Sequence, residues 1–420
     1  MIRFLTRWAA VCVFALSGIH AHADHLRDFI TNLYGGDGII LPLAPGIPEN
    51  IAQAHQPHFT GPEQIAELNA LSDGILSGTG IFAFNSTVTG VSFDLSTGVP
   101  QTVQDSLGPL LAERATTLGD GRWTFGVGYT YQKFDELDGQ KLSDLQVTFH
   151  HEDCCQVGPP PIPPPDGQLT GFEEDTILID VDVQLKQQVV ALFSNYGVTD
   201  NFDIGLVVPI VKMEASADAV ATIQIANPDS GSTIDGFPVH SFANDPSAAF
   251  DSTGGSKTGI GDIIGRAKWH FLDASQSFAD MAVFVDVTAP TGDEKDLLGT
   301  GEWQFRGVYV ISKNIGRWTP HLNVGWSGAS GNTDALNKVT YAAGFDSRLS
   351  PQFTFSADVL GRYNYDLKTI GNHVVDFAVA AKWNPFRNRN MPLNAFVSVP
   401  LNDDGLRAKV IWGLGFDVIL

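Results

Sequence analysis

Through the larger, C-terminal part of this chain, large apolar residues return at every second position. The last stretch, "VIWGLGFDVIL", puts Val410, Trp412, Leu414, Phe416, Val418 and Leu420 on one side, with Gly413, Gly415 and Asp417 between them. "TILIDVDVQLKQQVVALF" sets Ile177, Ile179, Val181, Val183, Leu185, Val189 and Phe193 against Asp180, Asp182, Gln184, Lys186 and Gln188. The same alternation runs through "FDIGLVVPIV", "GEWQFRGVYVI", "QFTFSADVLGRY" and "VVDFAVAAKW". Successive side chains of a strand point to opposite faces, so each segment predicts a strand with one apolar and one wet wall.

About twelve such strands are predicted, over 122–134, 176–196, 202–225, 259–271, 279–289, 301–313, 318–327, 336–347, 353–364, 374–384, 392–400 and 407–420. Tight links at 195–201, 272–277, 314–318 and 348–352 alternate with longer polar ones at 135–175, 226–258, 290–300, 327–335 and 364–372. Short turns at one end and long loops at the other describe an antiparallel, up-and-down outer-membrane barrel. A soluble β-sandwich shares the alternation but not its terminators. Here Trp and Tyr stand at strand ends (Trp123, Tyr131, Tyr196, Trp269, Trp303, Trp318, Trp326, Tyr363, Trp383), as interfacial girdles require. Lipid offers backbone groups no water, so a spanning sheet must close on itself and stay greasy outside to its final residue.

The start of the chain sets the expected compartment. "MIRFLTR" carries Arg3 and Arg7 and no acid, "WAAVCVFALSGI" is apolar, and "AHA" precedes Asp24. This is a signal-peptide pattern over 1–23, its apolar run too short to span a bilayer, and it predicts export. Losing Arg3 and Arg7 takes the formal charge from −22 to −24. Such acidity argues against nucleic acid as a partner. Only Cys154 and Cys155 then remain, which excludes a disulfide-dense scaffold.

Residues 24–121 read differently. "DHLRDFITNLYGGDGIILPLAPG", "GPEQIAELNALSDGIL" and "DSLGPLLAERATTLGDG" predict short helical or irregular pieces, and "GIFAFNSTVTGVSFDLSTG" a hairpin. The region is expected to form either a plug in the lumen or a periplasmic extension of the barrel at 122–420. If the hairpin joins the wall, the strand number becomes fourteen.

Inward positions of the barrel are expected to mix charges: Asp180, Asp182, Lys186, Asp262, Arg266, Lys268, Glu302, Arg306, Asp358, Arg362, Asp376 and Lys382. They would either line a selective pore or pair across strands and fill the interior. An apolar solute would avoid such a lining, so an apolar pocket near the extracellular mouth with a sideways exit is the alternative path. "FHHEDCC" (149–155) collects metal-ligand types without ligand spacing, so a vicinal disulfide or a plain loop is the expectation and no metal or cofactor is assigned. The stiff "GPPPIPPPDG" that follows would hold this loop away from the mouth. Acidic runs at 291–296 and 402–405 are either solvated loop charge or holders of divalent cations beside lipopolysaccharide phosphates. An enzyme is not expected: "KTG" (257–259) lacks a companion S-x-x-K, and "GWSG" (325–328) is no nucleophile elbow. The outward faces offer no Ser–His pair for a lipid-modifying barrel.

Three stretches carry a resemblance. "NYGVTDNFDIGLVVPIV", "GIGDIIGRAKWHF" and above all "APTGDEKDLLGTGEWQF" resemble the meta-pathway phenol degradation outer-membrane proteins, a family distantly similar to long-chain fatty acid and aromatic hydrocarbon channels. The resemblance spans roughly residues 105–420. It implies a cell outer-membrane barrel that passes small hydrophobic, often aromatic, molecules, with outer-membrane lipids and lipopolysaccharide around it. It also implies that the C-terminal strand is read by the barrel-assembly machinery, with Leu420 in place of the usual terminal aromatic. The Asn-Pro-Ala hatch motif of fatty-acid channels is not found near the N-terminus. The alternatives are a structural or adhesive barrel with a closed lumen and an outer-membrane lipid-modifying enzyme.

Overall fold

Fourteen strands make one antiparallel sheet, in chain order β1 (Trp123–Phe134), β2 (Leu145–His150), β3 (Thr176–Thr199), β4 (Phe202–Gln224), β5 (Ala248–Ile260), β6 (Ile263–Leu272), β7 (Asp280–Ala289), β8 (Gln304–Ser312), β9 (Trp318–Ala329), β10 (Lys338–Ser350), β11 (Phe353–Tyr363), β12 (His373–Trp383), β13 (Leu393–Pro400) and β14 (Ile411–Ile419). This computed structural model describes residues 110–150, 175–226, 248–331, 336–368, 370–385 and 391–419. It also describes short pieces at 25–29, 33, 74, 92–94, 99–101, 107, 233–234, 237–238, 240 and 242. The expected signal peptide lies outside the described residues.

Twelve of the strands close a transmembrane barrel. Each pairs with its neighbour in sequence, and β14 returns to β1 in a ladder from Ile411↔Gln132 to Ile419↔Thr124. The terminal strand therefore has no free edge, which is the condition lipid imposes. Outward rows carry Phe125, Leu192, Ile204, Leu206, Val285, Phe305, Leu322, Val324, Phe377, Val397 and Leu414, all exposed. Exposed Trp123, Trp269, Trp303, Trp318, Trp326, Tyr363 and Trp383 stand at or beside strand ends. Trp123 lies against Tyr196 and Trp318 against Phe345, so rings cluster at the short-turn end that the barrel rule places in the periplasm.

The two further strands come from expected loops, not from the hairpin. β2 lies within 135–175 and pairs with the upper part of β3, from Leu145↔Val181 to His150↔Thr176. β5 lies within 226–258 and its neighbourhood, and pairs with the upper part of β4, from Ala248↔Thr222 to Ile260↔Ile210. Described strands Ser92–Asp94 and Val99–Gln101 pair with each other, outside the barrel sheet. β3 and β4 pair along their whole length, Thr176↔Gln224 down to Thr199↔Phe202. A membrane strand needs only about 9–11 residues. The upper parts of β3 and β4 therefore rise beyond the lipid, flanked by β2 and β5.

This tower has its own core. Ile177, Ile179, Val181, Val183 and Leu185 of β3 meet Met213, Ala215, Ala217, Ala219, Ala221 and Ile223 of β4, together with Leu26, Phe29, Phe242 and Leu298. Alanines opposite branched residues let the two strands bury a common inner face at close approach.

Candidate functional site: the filled lumen and its cavity

Leu107 and residues 110–118 lie in the barrel interior, where their backbone is received by wall side chains of several strands. Leu107 N donates to Thr354 Oγ1 at 2.9 Å, Ala115 N to Ser312 Oγ at 3.0 Å, and Leu118 N to Asp203 Oδ2 at 2.9 Å. Glu113 N donates to Asn323 Oδ1 at 2.7 Å, and Asn323 Nδ2 returns a bond to Glu113 O at 2.8 Å. Lys268 Nζ adds a bond to Thr116 O at 2.6 Å. An irregular strand of chain in a lumen must have its polar backbone groups satisfied, and here inward Thr, Ser, Asn, Asp and Lys do so. Leu110, Ala112, Ala115 and Leu118 are buried along it.

Its two charged residues bind opposite walls. Glu113 accepts from Lys268 Nζ at 2.8 Å and from Arg266 Nη1 at 3.3 Å. Arg266 also donates through Nε to Asp286 Oδ1 at 2.7 Å, and Arg306 Nε reaches Asp286 Oδ2 at 2.9 Å. Arg114 Nε donates to Asp346 Oδ1 at 2.8 Å. His321 stands between two acids, with Nε2 at 2.6 Å from Asp358 Oδ1 and Nδ1 at 3.8 Å from Asp346 Oδ1. Removing one partner from such buried sets leaves a charge with no water to turn to, which is why they hold the segment in place.

The expected lining residues divide into three groups. Arg266, Lys268, Arg306, Asp358, Arg362, Asp376 and Lys382 lie on inward rows; Lys382 Nζ is 4.0 Å from Asp417 Oδ2, and Arg407 Nη2 holds Asp376 Oδ1 at 2.6 Å. Asp262 and Glu302 lie outside the strands, at the long-loop end. Asp262 accepts from Gly292 N at 3.0 Å and from both Thr300 N and Thr300 Oγ1 at 2.8 Å, and Glu302 Oε2 accepts from Ser330 Oγ at 2.7 Å. The Pro-Thr-Gly-Asp and Gly-Thr-Gly pieces of the most distinctive motif thus close one loop around Asp262, a structural rather than a chemical task.

Asp180, Asp182 and Lys186 correct the expectation. They share the outer face of β3, opposite buried Ile179, Val181, Val183 and Leu185, and Asp180 Oδ1 accepts from Gln146 Nε2 of β2 at 2.7 Å. In the upper part of β3 the apolar row is the inner one; lower down the inner row mixes Phe193 with buried Gln187 and Asn195, and Leu192 is exposed on the outer row. Above the lipid the outside meets water and the inside is packed, so the wet wall is the outer one.

Glu113, Arg114, Asp286, Asp346 and His321 were not among the expected lining. Asp286 was signalled by its place inside "VFVDVTA", an acid alternating with apolar residues. Glu113 and Arg114 had only the adjacent opposite charges in "LLAERATTL".

The acidic runs have structural partners too. Asp296 Oδ1 is 3.3 Å from Lys257 Nζ and 3.8 Å from His25 Nδ1, and Asn402 Oδ1 accepts from Val375 N at 3.0 Å. Of the 149–155 cluster, Phe149 and His150 end β2, and the remainder lies outside the described residues.

Above the threaded segment, toward the long loops, the lumen keeps a cavity of about 150 Å³. Leu111, Phe284, Val308, Ala342, Leu360 and Phe396 give it apolar walls; Arg266, Arg306, Arg362, Glu113 and Asp376 also reach it. The Arg266 guanidinium lies 4.2 Å from the Phe284 ring centroid and that of Arg306 5.5 Å from it.

Residues 176–418 match the model of the family described as "Putative MetA-pathway of phenol degradation", more than half of the 420-residue chain. The chain belongs to that family. Among curated proteins none matches. Among solved structures it is similar to the COG4313 outer membrane channel from Pseudomonas putida F1, at 15% identity over 73% of this chain and 98% of that one, with a TM-score of 0.41. It is similar to the Ralstonia pickettii toluene transporter TbuX at 12% identity over 82% and 98% of the two chains, with a TM-score of 0.36. A Pseudomonas aeruginosa FadL homologue aligns at 12% identity over 71% and 90%, with a TM-score of 0.35.

Proposed function

We propose that this protein is an outer-membrane channel for small hydrophobic compounds, aromatic ones foremost, exported by cleavage of the segment 1–23. One observation carries the reading: a closed barrel encloses a cavity of about 150 Å³ walled by Phe284, Val308, Leu360 and Phe396. A cavity of about that size has room for one benzene ring. The likeness of the Ralstonia toluene transporter is in keeping with such a solute. Residues 110–118 lie across the lumen on the periplasmic side of the cavity, so passage requires that this segment shift.

The threaded segment also favours a second reading, a structural barrel whose lumen is permanently filled. Planar-bilayer conductance and vesicle uptake of benzyl alcohol separate the two, with the full chain compared with a variant lacking residues 107–118. A channel shows saturable uptake in the full chain and at least a tenfold larger conductance after deletion. If the full chain admits no solute above empty vesicles, the channel reading falls and the structural barrel stands.

A further inference from the structure

Arg362 is placed unlike the other arginines of the lumen. Arg266 and Arg306 bind Asp286, Arg114 binds Asp346, and Arg407 binds Asp376. Arg362 is 6% exposed, projects from β11 to line the cavity, and its Nε is buried without a hydrogen-bond partner. Asp376, diagonally across the β11–β12 ladder where Arg362 faces Val374, is the carboxylate on the same cavity wall. Its Oδ1 is taken by Arg407, which also donates to Val375 O at 3.0 Å. Two guanidiniums thus share one carboxylate. A buried cation with incomplete compensation is costly, and the cost falls when an anion from solution completes the set.

The remaining walls define what that anion carries. Phe284, Val308, Leu360 and Phe396 surround a space that fits one six-membered ring, and Thr340 and Ser398 add hydroxyls at its edge. An inorganic anion would leave these walls in contact with water, and a neutral ring would leave Arg362 as it is. A planar aromatic acid satisfies both, its carboxylate taking two parallel N–H bonds from a guanidinium fork.

We propose that the cavity is a binding site for small aromatic carboxylates, with Arg362 holding the anion and Phe284, Leu360 and Phe396 the ring. This names a substrate class for the channel and rests on that reading for its transport role, but not for binding itself.

The test is equilibrium binding to the full-length protein in detergent. Benzoate is compared with benzyl alcohol, which has the ring without the charge, and with inorganic phosphate, which has the charge without the ring. Benzoate is expected to bind at least tenfold tighter than either. Arg362→Gln should weaken benzoate at least tenfold and leave benzyl alcohol unchanged, and Arg362→Lys should retain part of the benzoate affinity. Ala342→Leu keeps Arg362 and fills the cavity, so it should weaken benzoate and benzyl alcohol together. Heat-modifiable gel migration confirms that each variant is closed as a barrel. The proposal is overturned if phosphate or benzyl alcohol binds as tightly as benzoate, or if a closed Arg362→Gln barrel keeps wild-type benzoate affinity. Benzoate binding without uptake of any ring removes the channel and leaves the site. Uptake of benzyl alcohol without benzoate binding removes the site and leaves the channel.

Discussion

Single residues decide how tightly the lumen is closed. Glu113 is one carboxylate facing Arg266 and Lys268, and all three are buried. Glu113→Ala leaves two cations deprived of that partner in a region without bulk water, a loss of about 3–5 kcal/mol for a buried set. The expected outcome is a lower temperature for the shift from the folded to the unfolded gel band, with Glu113→Asp intermediate. Gly413 matters for a different reason. It faces inward on β14, and a Cβ there would run into the Phe396 ring that walls the cavity. A Cβ there would also lie 2.8 Å from the Tyr129 carbonyl oxygen of β1, so Gly413→Val should push Phe396 aside, abolish binding of benzyl alcohol and lower the temperature at which the folded gel band is lost. Unchanged binding in that variant would remove Phe396 from the wall.

Among the elements, the long β3–β4 hairpin is the one that does two jobs. Its lower part is wall, with Leu192, Ile204 and Leu206 turned to lipid, and its upper part is a tower with an apolar inside and charged outside. Along β4 the apolar row changes sides, from outward Ile204, Leu206 and Ile210 in the wall to inward Met213, Ala215 and Ala217 in the tower, as the outer face passes from lipid to water. Ile179→Asp buries an unpaired charge in the tower, where Ile179 is 4% exposed. We expect protease to cut the tower of that variant while the membrane ladder from β6 to β14 stays protected. Cleavage throughout would mean that tower and wall fold as one unit. The strand ladder of the wall was legible residue by residue, because "GEWQFRGVYVI" and "VVDFAVAAKW" keep period-two alternation with aromatic ends. β5 was not legible: "AAFDSTGGSKTGI" has little alternation and two adjacent glycines, and it becomes a strand by pairing with β4. β2 is six residues in an expected loop and is recruited by β3 in the same way.

For the whole molecule, closure is the governing fact. β14 and β1 meet in nine register pairs, from Ile411↔Gln132 to Ile419↔Thr124, so no spanning strand is left with an open edge among the described residues. Phe416→Arg puts a charge on the lipid face of that seam, a loss of about 2–4 kcal/mol at the membrane midplane and less near the interfaces. Its expected result is a reduced fraction of the heat-modifiable folded band after refolding into detergent, and a wild-type yield would place Phe416 away from hydrocarbon. The sequence by itself determined most of the wall: the number of membrane strands, their direction and, β3 excepted, the face each turns outward, since alternation is a local consequence of strand geometry meeting a uniform solvent. Tertiary structure alone decided the interior. Whether Asp180 meets water outside or a lumen inside depends on how far β3 rises above the bilayer. That Glu113 meets Lys268, and that Arg362 is left facing a ring-sized space, depends on a distant segment threading the closed barrel. Such encounters join residues far apart in the chain and leave no period in it.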